Sequence, residues 1–294
     1  MEIRENVQLA PYTTFGIGGP ADFFISVISE DEIISAVTFA KEKKLPFFLL
    51  GMGANILVGD KGFRGVVIKN EANKTALEDT ILTAESGTII GELIDYTAEK
   101  GLSGFEHFAG IPSSVGGALW QNLHFLSSDR SKTVYIGDIL IEAKILQEDG
   151  KVGHVGNEYF SFGYDYSKLH DTKDIILTAT FQLKKEDSKI MQESICANLS
   201  WRAKKHPANA TKKSAGSVFK KIEGHGAGRL IEQVGLKGKT IGGAKISEQH
   251  ANFILNENNA TAKDVRDLID LVQQKVKNEL GLEMQPEISF VGEF

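Results

Sequence analysis

A single cysteine, Cys196, leaves the 294-residue chain without any intrachain disulfide or thiolate metal cluster, and no metal site is expected. Long apolar runs are missing too. The most hydrophobic stretch, Leu45 to Val58, is broken by Pro46, Gly51 and Gly53 and is too short to span a bilayer. Positive charge is not in excess: the formal net charge is −6, which gives no reason to expect a nucleic-acid or membrane partner. The short basic clusters Lys204-Lys205 and Lys212-Lys213 read as solvated faces or as the rim of an anion site. Met1-Glu2-Ile3-Arg4-Glu5 lacks the apolar stretch of a signal peptide, so a soluble, cytoplasmic protein is expected. What the chain does have is glycine, 30 residues of it, gathered into clusters.

Periodicity organises the rest. Ala21 to Val27 reads as a strand, Glu30 to Lys43 as a helix behind an acidic first turn, and Pro46 to Leu50 as a short buried strand, together a small βαβ-like unit. From Gly65 onward the chain is rich in strands: Val66 to Ile68, Thr80 to Ala84, Ile139 to Gln147, Val152 to Val155 and Ile175 to Leu183, with a helix at Ile90 to Lys100. The polar stretch Lys184 to Lys189 is the expected domain boundary. Helices follow at Ile190 to Lys204 and at Ala262 to Leu280. Thr261 is the expected cap of the latter, with Asp264 completing a capping box and Gly281 ending it. The fold class is α+β, with an N-terminal domain at 1–186 (subdomains about 1–64 and 65–186) and a C-terminal domain at 187–294.

The glycine clusters differ in what they allow. Gly16-Ile17-Gly18-Gly19-Pro20-Ala21 fits the letters of a dinucleotide fingerprint, but no strand precedes it and no helix follows, so a Rossmann site is rejected. Gly51-Met52-Gly53-Ala54-Asn55 follows a buried strand. Its small residues suit either a plain tight turn or a backbone that offers successive N–H groups to phosphate. Gly110 to Ala118 is a second such run, with the hydroxyls of Ser113 and Ser114 and a stiffening Pro112. Two loops of this kind favour a dinucleotide ligand. A third run, Ser214 to Lys220, would expose Ser217, although taken alone it reads as a surface loop with an ordinary serine.

These segments resemble the UDP-N-acetylenolpyruvoylglucosamine reductase (MurB) family. The resemblance runs through Thr14 to Ala21, Asn55-Ile56-Leu57-Val58, Gly104 to Ala118, Gln121-Asn122 and Phe162-Gly163-Tyr164. It continues through Ala215 to Lys220, Leu236-Lys237-Gly238, Ile241 to Ala244, His250 to Ile254 and Pro286-Glu287. It spans essentially the whole chain in order, and the short C-terminal domain is more similar to the compact, type II branch.

The resemblance implies a two-part FAD-binding unit of the p-cresol methylhydroxylase type and an α+β substrate-binding domain at the C-terminus. It implies that NADPH reduces the flavin, which then passes hydride to the enolpyruvyl group of a UDP-amino sugar in peptidoglycan synthesis; a monomer with a small-molecule UDP-sugar as its partner is expected. Matched residue by residue, Ser217 takes the place of the proton-donating serine and Glu287 that of the catalytic glutamate. The FAD positions fall on Gly51, Met52, Gly53, Ala54, Asn55, Ile111, Pro112, Ser114, Gly116, Gly117, Ala118 and Asn122. Those near substrate fall on Tyr164, Lys220, Lys221 and His250.

The pattern breaks at several points. Relatives carry arginine after the tyrosine, and here Asp165 stands in Tyr164-Asp165-Tyr166-Ser167. Leu123-His124-Phe125 departs from the small, polar run that follows Gln-Asn, and Lys220-Lys221-Ile222 replaces Lys-Asn-Pro. Losing one group that stabilises developing negative charge costs about 10²–10³ in rate. Three readings therefore stand. In the first, Arg130, Lys168 or Arg202 supplies the missing cation. In the second, the flavoprotein takes a different acceptor. In the third, it only binds FAD or a UDP-sugar.

Overall fold

The computed structural model describes residues 1–207, 213–222 and 224–294, so Lys212 lies outside the described residues. The chain forms two compact units. One comprises Met1–Ile3, Ile25–Gly51 and Ile68–Arg202; the other comprises Arg4–Phe24, Met52–Val67 and Ala203–Phe294.

The first unit is built on a five-stranded antiparallel sheet. Its strand order is Val152–Gly156, Leu140–Leu146, Ile175–Gln182, Ile81–Glu85, Thr75–Glu78. Helices α1 (Glu30–Glu42), α2 (Ile90–Glu99), α3 (Val115–Gln121) and α4 (Ser188–Lys205, through Arg202 in this unit) complete it. Helix α1 starts where Ser29 accepts a hydrogen bond from the Glu32 amide at 3.3 Å, behind three acids in its first turn. Its buried residues Ile33, Ala36, Val37 and Ala40 make one helical stripe. The core joins Leu82, Ala143, Ile145, Ala179 and Phe181 of the sheet to Leu93 and Ile94 of α2, Leu119 of α3 and Met191 of α4. The βαβ-like expectation needs correcting: a third strand, ending at Asn70, lies between the strands that end at Val27 and Leu50.

The second unit brings three separate stretches of chain together. Arg4–Gln8 pairs antiparallel with residues 20–24, and Ser289–Val291 pairs in parallel with Ile56–Val58. A three-stranded antiparallel sheet follows the order Thr240–Ile241, Ala244–Ile246, Ile254–Asn256. Helices α5 (Ala227–Gln233) and α6 (Ala262–Leu280) pack on it. The capping box of Thr261 and Asp264 forms as read from the sequence, and Gly281 ends α6 in the left-handed region at φ 72°. A second cap was not foreseen. The Asp60 carboxylate, about 200 residues away in sequence, accepts from the Ala262 amide at 2.7 Å and the Lys263 amide at 3.0 Å.

These units divide the chain differently from the boundary read at 186/187. Phe15, Ile17 and Leu57 belong to the same apolar cluster as Leu230, Ile254 and Leu268, which draws early segments into the second unit. Met191 and Ile195 of α4 pack into the first core instead. Among the described residues, no helix is long and apolar enough to cross a membrane.

Candidate functional site

In the first unit, the run from Gly110 to Ala118 is partly a helix. Ser114 caps α3, accepting from the Gly117 amide at 3.4 Å. The Val115 amide donates to Thr88 O at 2.9 Å, that of Gly116 to Ser86 O at 2.8 Å, and that of Ala118 to Ser114 O at 2.7 Å. The amides of these small residues are thus committed within the protein. Their smallness allows close approach instead: a Cβ on Gly116 would lie 3.2 Å from Ser86 O, and one on Gly51 would lie 2.6 Å from Ser114 Oγ. Ile111 is tied by its amide to Phe108 O at 3.0 Å, and Pro112 beside it is half-buried. Lys69, which no sequence motif singled out, donates from Nζ to Gly51 O at 2.7 Å, and burial pulls its pKa down.

Asn122 ends α3 in the left-handed region, at φ 51°. Its side chain donates to Gly163 O at 2.8 Å and accepts from the Gly137 amide at 3.3 Å. It thereby shapes a cavity of about 350 Å³ lined also by Tyr135, Asp138, Phe162 and Tyr164. The turn closed by the Gly163 amide on Tyr166 O leaves Tyr164 49% exposed and turns Asp165 inward, 3% exposed. Asp165 Oδ1 lies 3.8 Å from His124 Nδ1.

The three side chains that the first reading offers for the missing cation, Lys168, Arg130 and Arg202, each lie over an aromatic ring. Lys168 sits 4.3 Å over the Tyr159 ring. Arg130 donates to Ala197 O at 3.3 Å and lies over Phe125 and Trp201. Arg202 lies 5.5 Å over Phe125, and burial pushes its pKa down to about 10. A Cβ on Gly110 would come within 3.2 Å of Arg202 Nε, so this guanidinium flanks the second glycine run.

In the second unit, Gly53 adopts φ 62°, and a Cβ there would lie 2.3 Å from Tyr12 O. Its carbonyl accepts from the Thr14 amide at 3.1 Å. Among the described residues, the amides of Met52, Gly53 and Ala54 have no protein acceptor. Asn55 reaches Glu287 O from Nδ2 at 3.4 Å and accepts from the Ser289 amide at 3.0 Å.

The segment holding Ser217 is clamped from two sides. Its bridge to Phe253 and the Val218 amide on Asn252 O at 2.8 Å hold one edge. The Glu287 amide on Val218 O at 2.7 Å and the Lys220 amide on Gln285 O at 2.9 Å hold the other. Ser217 and Glu287, 70 residues apart in sequence, are thereby brought to neighbouring positions. Ser217 is half-buried, and its hydroxyl has no partner among the described residues. Lys220 is half-buried and Lys221 exposed. His250 accepts on Nδ1 from the Asn252 amide at 3.3 Å, and burial lowers its pKa.

Known proteins resemble the chain over nearly its whole length. A model described as FAD binding domain matches residues 21–156, and one described as UDP-N-acetylenolpyruvoylglucosamine reductase, C-terminal domain, matches residues 206–291. The UDP-N-acetylenolpyruvoylglucosamine reductase of Clostridium botulinum (strain Eklund 17B / Type B) is 36% identical over 293 residues, covering 99% of this chain and 94% of that protein. The chain belongs to the UDP-N-acetylenolpyruvoylglucosamine reductase family.

Another family member, from Anoxybacillus flavithermus, is 39% identical over 293 residues, covering 99% of this chain and 94% of its own. The crystal structure of the family's protein from Thermus caldophilus aligns with TM-score 0.83 at 32% identity, covering 99% of this chain and all of that one. The residues present suit the cofactor that the N-terminal match names. Three adjacent amides at Met52, Gly53 and Ala54 without protein acceptors can receive diphosphate oxygens.

Proposed function

We infer that the protein is an FAD-dependent reductase that uses NADPH to convert UDP-N-acetylglucosamine enolpyruvate into UDP-N-acetylmuramate during peptidoglycan precursor synthesis. The observation that carries this reading is the pairing of Ser217 with Glu287 through Val218 in a chain related end to end to reductases of that name. We assign FAD binding to the domain at 1–186 and substrate binding to that at 187–294, in a cytoplasmic monomer.

Bound FAD would supply, at the expense of NADPH, the hydride that the terminal carbon of the enolpyruvyl group receives. Everything else falls to the chain. The Met52, Gly53 and Ala54 amides would receive the cofactor's diphosphate, and the half-buried Arg202 guanidinium would answer negative charge next to Gly110. Adding hydride to the terminal carbon puts an electron pair on the carbon alpha to the carboxylate. The Ser217 hydroxyl donates its proton to that carbon, which completes reduction of the double bond. Glu287, held beside Ser217, assists that proton transfer, and Tyr164, Lys220 and Lys221 hold the substrate. His250, with Nδ1 accepting from Asn252, is kept neutral and offers Nε2–H as a donor.

Asp165 favours a second reading, a related flavoprotein whose acceptor lacks the carboxylate. One experiment separates the two. The protein is reduced anaerobically with NADPH and mixed with the UDP-linked enolpyruvyl sugar. Reoxidation with one equivalent of UDP-N-acetylmuramate is expected, and Ser217→Ala should slow that step by about 10²–10⁴ while reduction by NADPH persists. Reduced protein that the sugar leaves reduced would overturn the first reading. Protein that NADPH cannot reduce would mark a binding protein only.

A further inference from the structure

Lys69 carries a charge in a place that disfavours it. It is the penultimate residue of the strand Phe63–Asn70, its side chain is half-buried, and Nζ donates to the Gly51 carbonyl at 2.7 Å. Among the described residues no carboxylate comes within ion-pair distance of it, and Glu71 acts on it only from farther away. Burial therefore outweighs the neighbouring charge and lowers its pKa. Keeping an ammonium partly from water without a counter-ion costs folding free energy. An ammonium has three donors, and Gly51 takes one of them.

What the ammonium holds is the start of the first glycine run. Gly51 also packs against Ser114, so closely that a Cβ would lie 2.6 Å from Ser114 Oγ. The Gly51–Met52 peptide is trans. In a trans unit the carbonyl and the N–H are coplanar and point in opposite directions. A donor held on Gly51 O therefore fixes where the Met52 N–H points. That N–H is the first of the three without protein acceptors. A cation on the carbonyl also polarises the peptide and makes its N–H a stronger donor. An anion accepted by that N–H lies on the order of 8 Å from Nζ, across one peptide unit. At that range, in a partly desolvated setting, the two charges still attract.

We propose that Lys69 is a positioning residue for the diphosphate of FAD: it sets the Gly51–Met52 peptide with its N–H toward the phosphate oxygens and supplies positive charge behind it. This rests on the assignment of the diphosphate to the Met52, Gly53 and Ala54 amides. A lysine that only braced the chain would support every part of the cofactor alike. Lys69 supports the phosphorylated part.

The test titrates the full-length chain, stripped of flavin, with FAD and with riboflavin, which shares the isoalloxazine ring and carries no phosphate. Flavin fluorescence reports binding. Lys69→Met, similar in length but without charge or donor, should weaken FAD by about 10–100-fold and leave riboflavin almost unaffected. Lys69→Arg, which keeps both charge and donors, should recover most of the loss. Added salt should weaken FAD more steeply in the parent than in Lys69→Met. If riboflavin binds too weakly to follow, ADP and adenosine as competitors of FAD take its place, and only ADP should lose potency in Lys69→Met. Unchanged FAD affinity in Lys69→Met, or a loss that the phosphate-free ligand shares in full, would overturn the proposal. If Lys69→Met does not fold, Lys69→Gln decides by the same comparison. Should the diphosphate lie away from these amides, Gly53→Ala would keep its flavin as well. Failure of the Lys69 proposal alone leaves the loss in Gly53→Ala intact.

Discussion

The side chain of Asn252 grips the backbone of Phe219 at both ends, donating to its carbonyl at 2.9 Å and accepting from its amide at 3.0 Å. A side-chain amide here does the work of a neighbouring strand. With Asn252 only 6% exposed, neither Phe219 group has water to fall back on. The clasp sits two residues from Ser217, so the position of that hydroxyl depends on it.

Asn252→Ala should therefore damage stability and chemistry together. Leaving a buried backbone donor and acceptor without partners costs about 1–3 kcal/mol for each. The urea midpoint should fall accordingly, and reoxidation by the sugar should slow more than reduction by NADPH. An unchanged midpoint would show that the clasp is dispensable.

Gly53→Ala should cost the protein its cofactor. The substitution places a Cβ 2.3 Å from the Tyr12 carbonyl in a backbone conformation that L residues seldom adopt. Relief requires moving the loop whose Met52, Gly53 and Ala54 amides lack protein acceptors. The flavin-to-protein ratio of the purified variant, read from its visible absorbance, should drop well below that of the parent. Full flavin content would contradict the role given to these amides.

Acid should weaken the second unit through His250. Burial, the main cause, lowers its folded-state pKa below the ordinary histidine value. The unfolded chain then takes up this proton first as pH falls. The contribution is complete above about 6.5 and is lost as pH drops from there through the folded value. Protonating Nδ1 also breaks the bond from the Asn252 amide. Denaturation midpoints compared at about pH 7.5 and about pH 5.5 should differ less in His250→Gln than in the parent. Equal slopes would remove His250 from the account.

Much of the frame was legible in the sequence because local signals agreed with the fold. Helix α6 carries its own start in Thr261 and Asp264, its stop in Gly281 and a regular apolar stripe between them. Helix α3 was not legible: Gly116 and Gly117 weaken its helical propensity, and the cap at Ser114 is hidden in what reads as a flexible run. The make-up of the two compact units was not legible for a different reason. The burial of Phe15 and Leu57 beside residues some 200 positions later leaves no mark on local periodicity. At the site, Ser217 and Glu287 came from the family pattern, whereas Asn252 as a clasp and His124 as the neighbour of Asp165 needed coordinates. A contact between distant departures is invisible while each is judged alone.

The second unit's make-up from residues 4–24, 52–67 and 203–294 has a consequence for the protein's life on the ribosome. Phe15, Ile17 and Leu57 emerge early, yet the helices that cover them are made near the end of synthesis. For most of translation these side chains lack most of their native neighbours, so nascent chains stalled before α6 should be good clients for chaperones. The same dependence applies in reverse to a fragment beginning near residue 203. Without the two early strips, it should expose part of its interior and aggregate, while co-expressed residues 1–202 should rescue it by complementation.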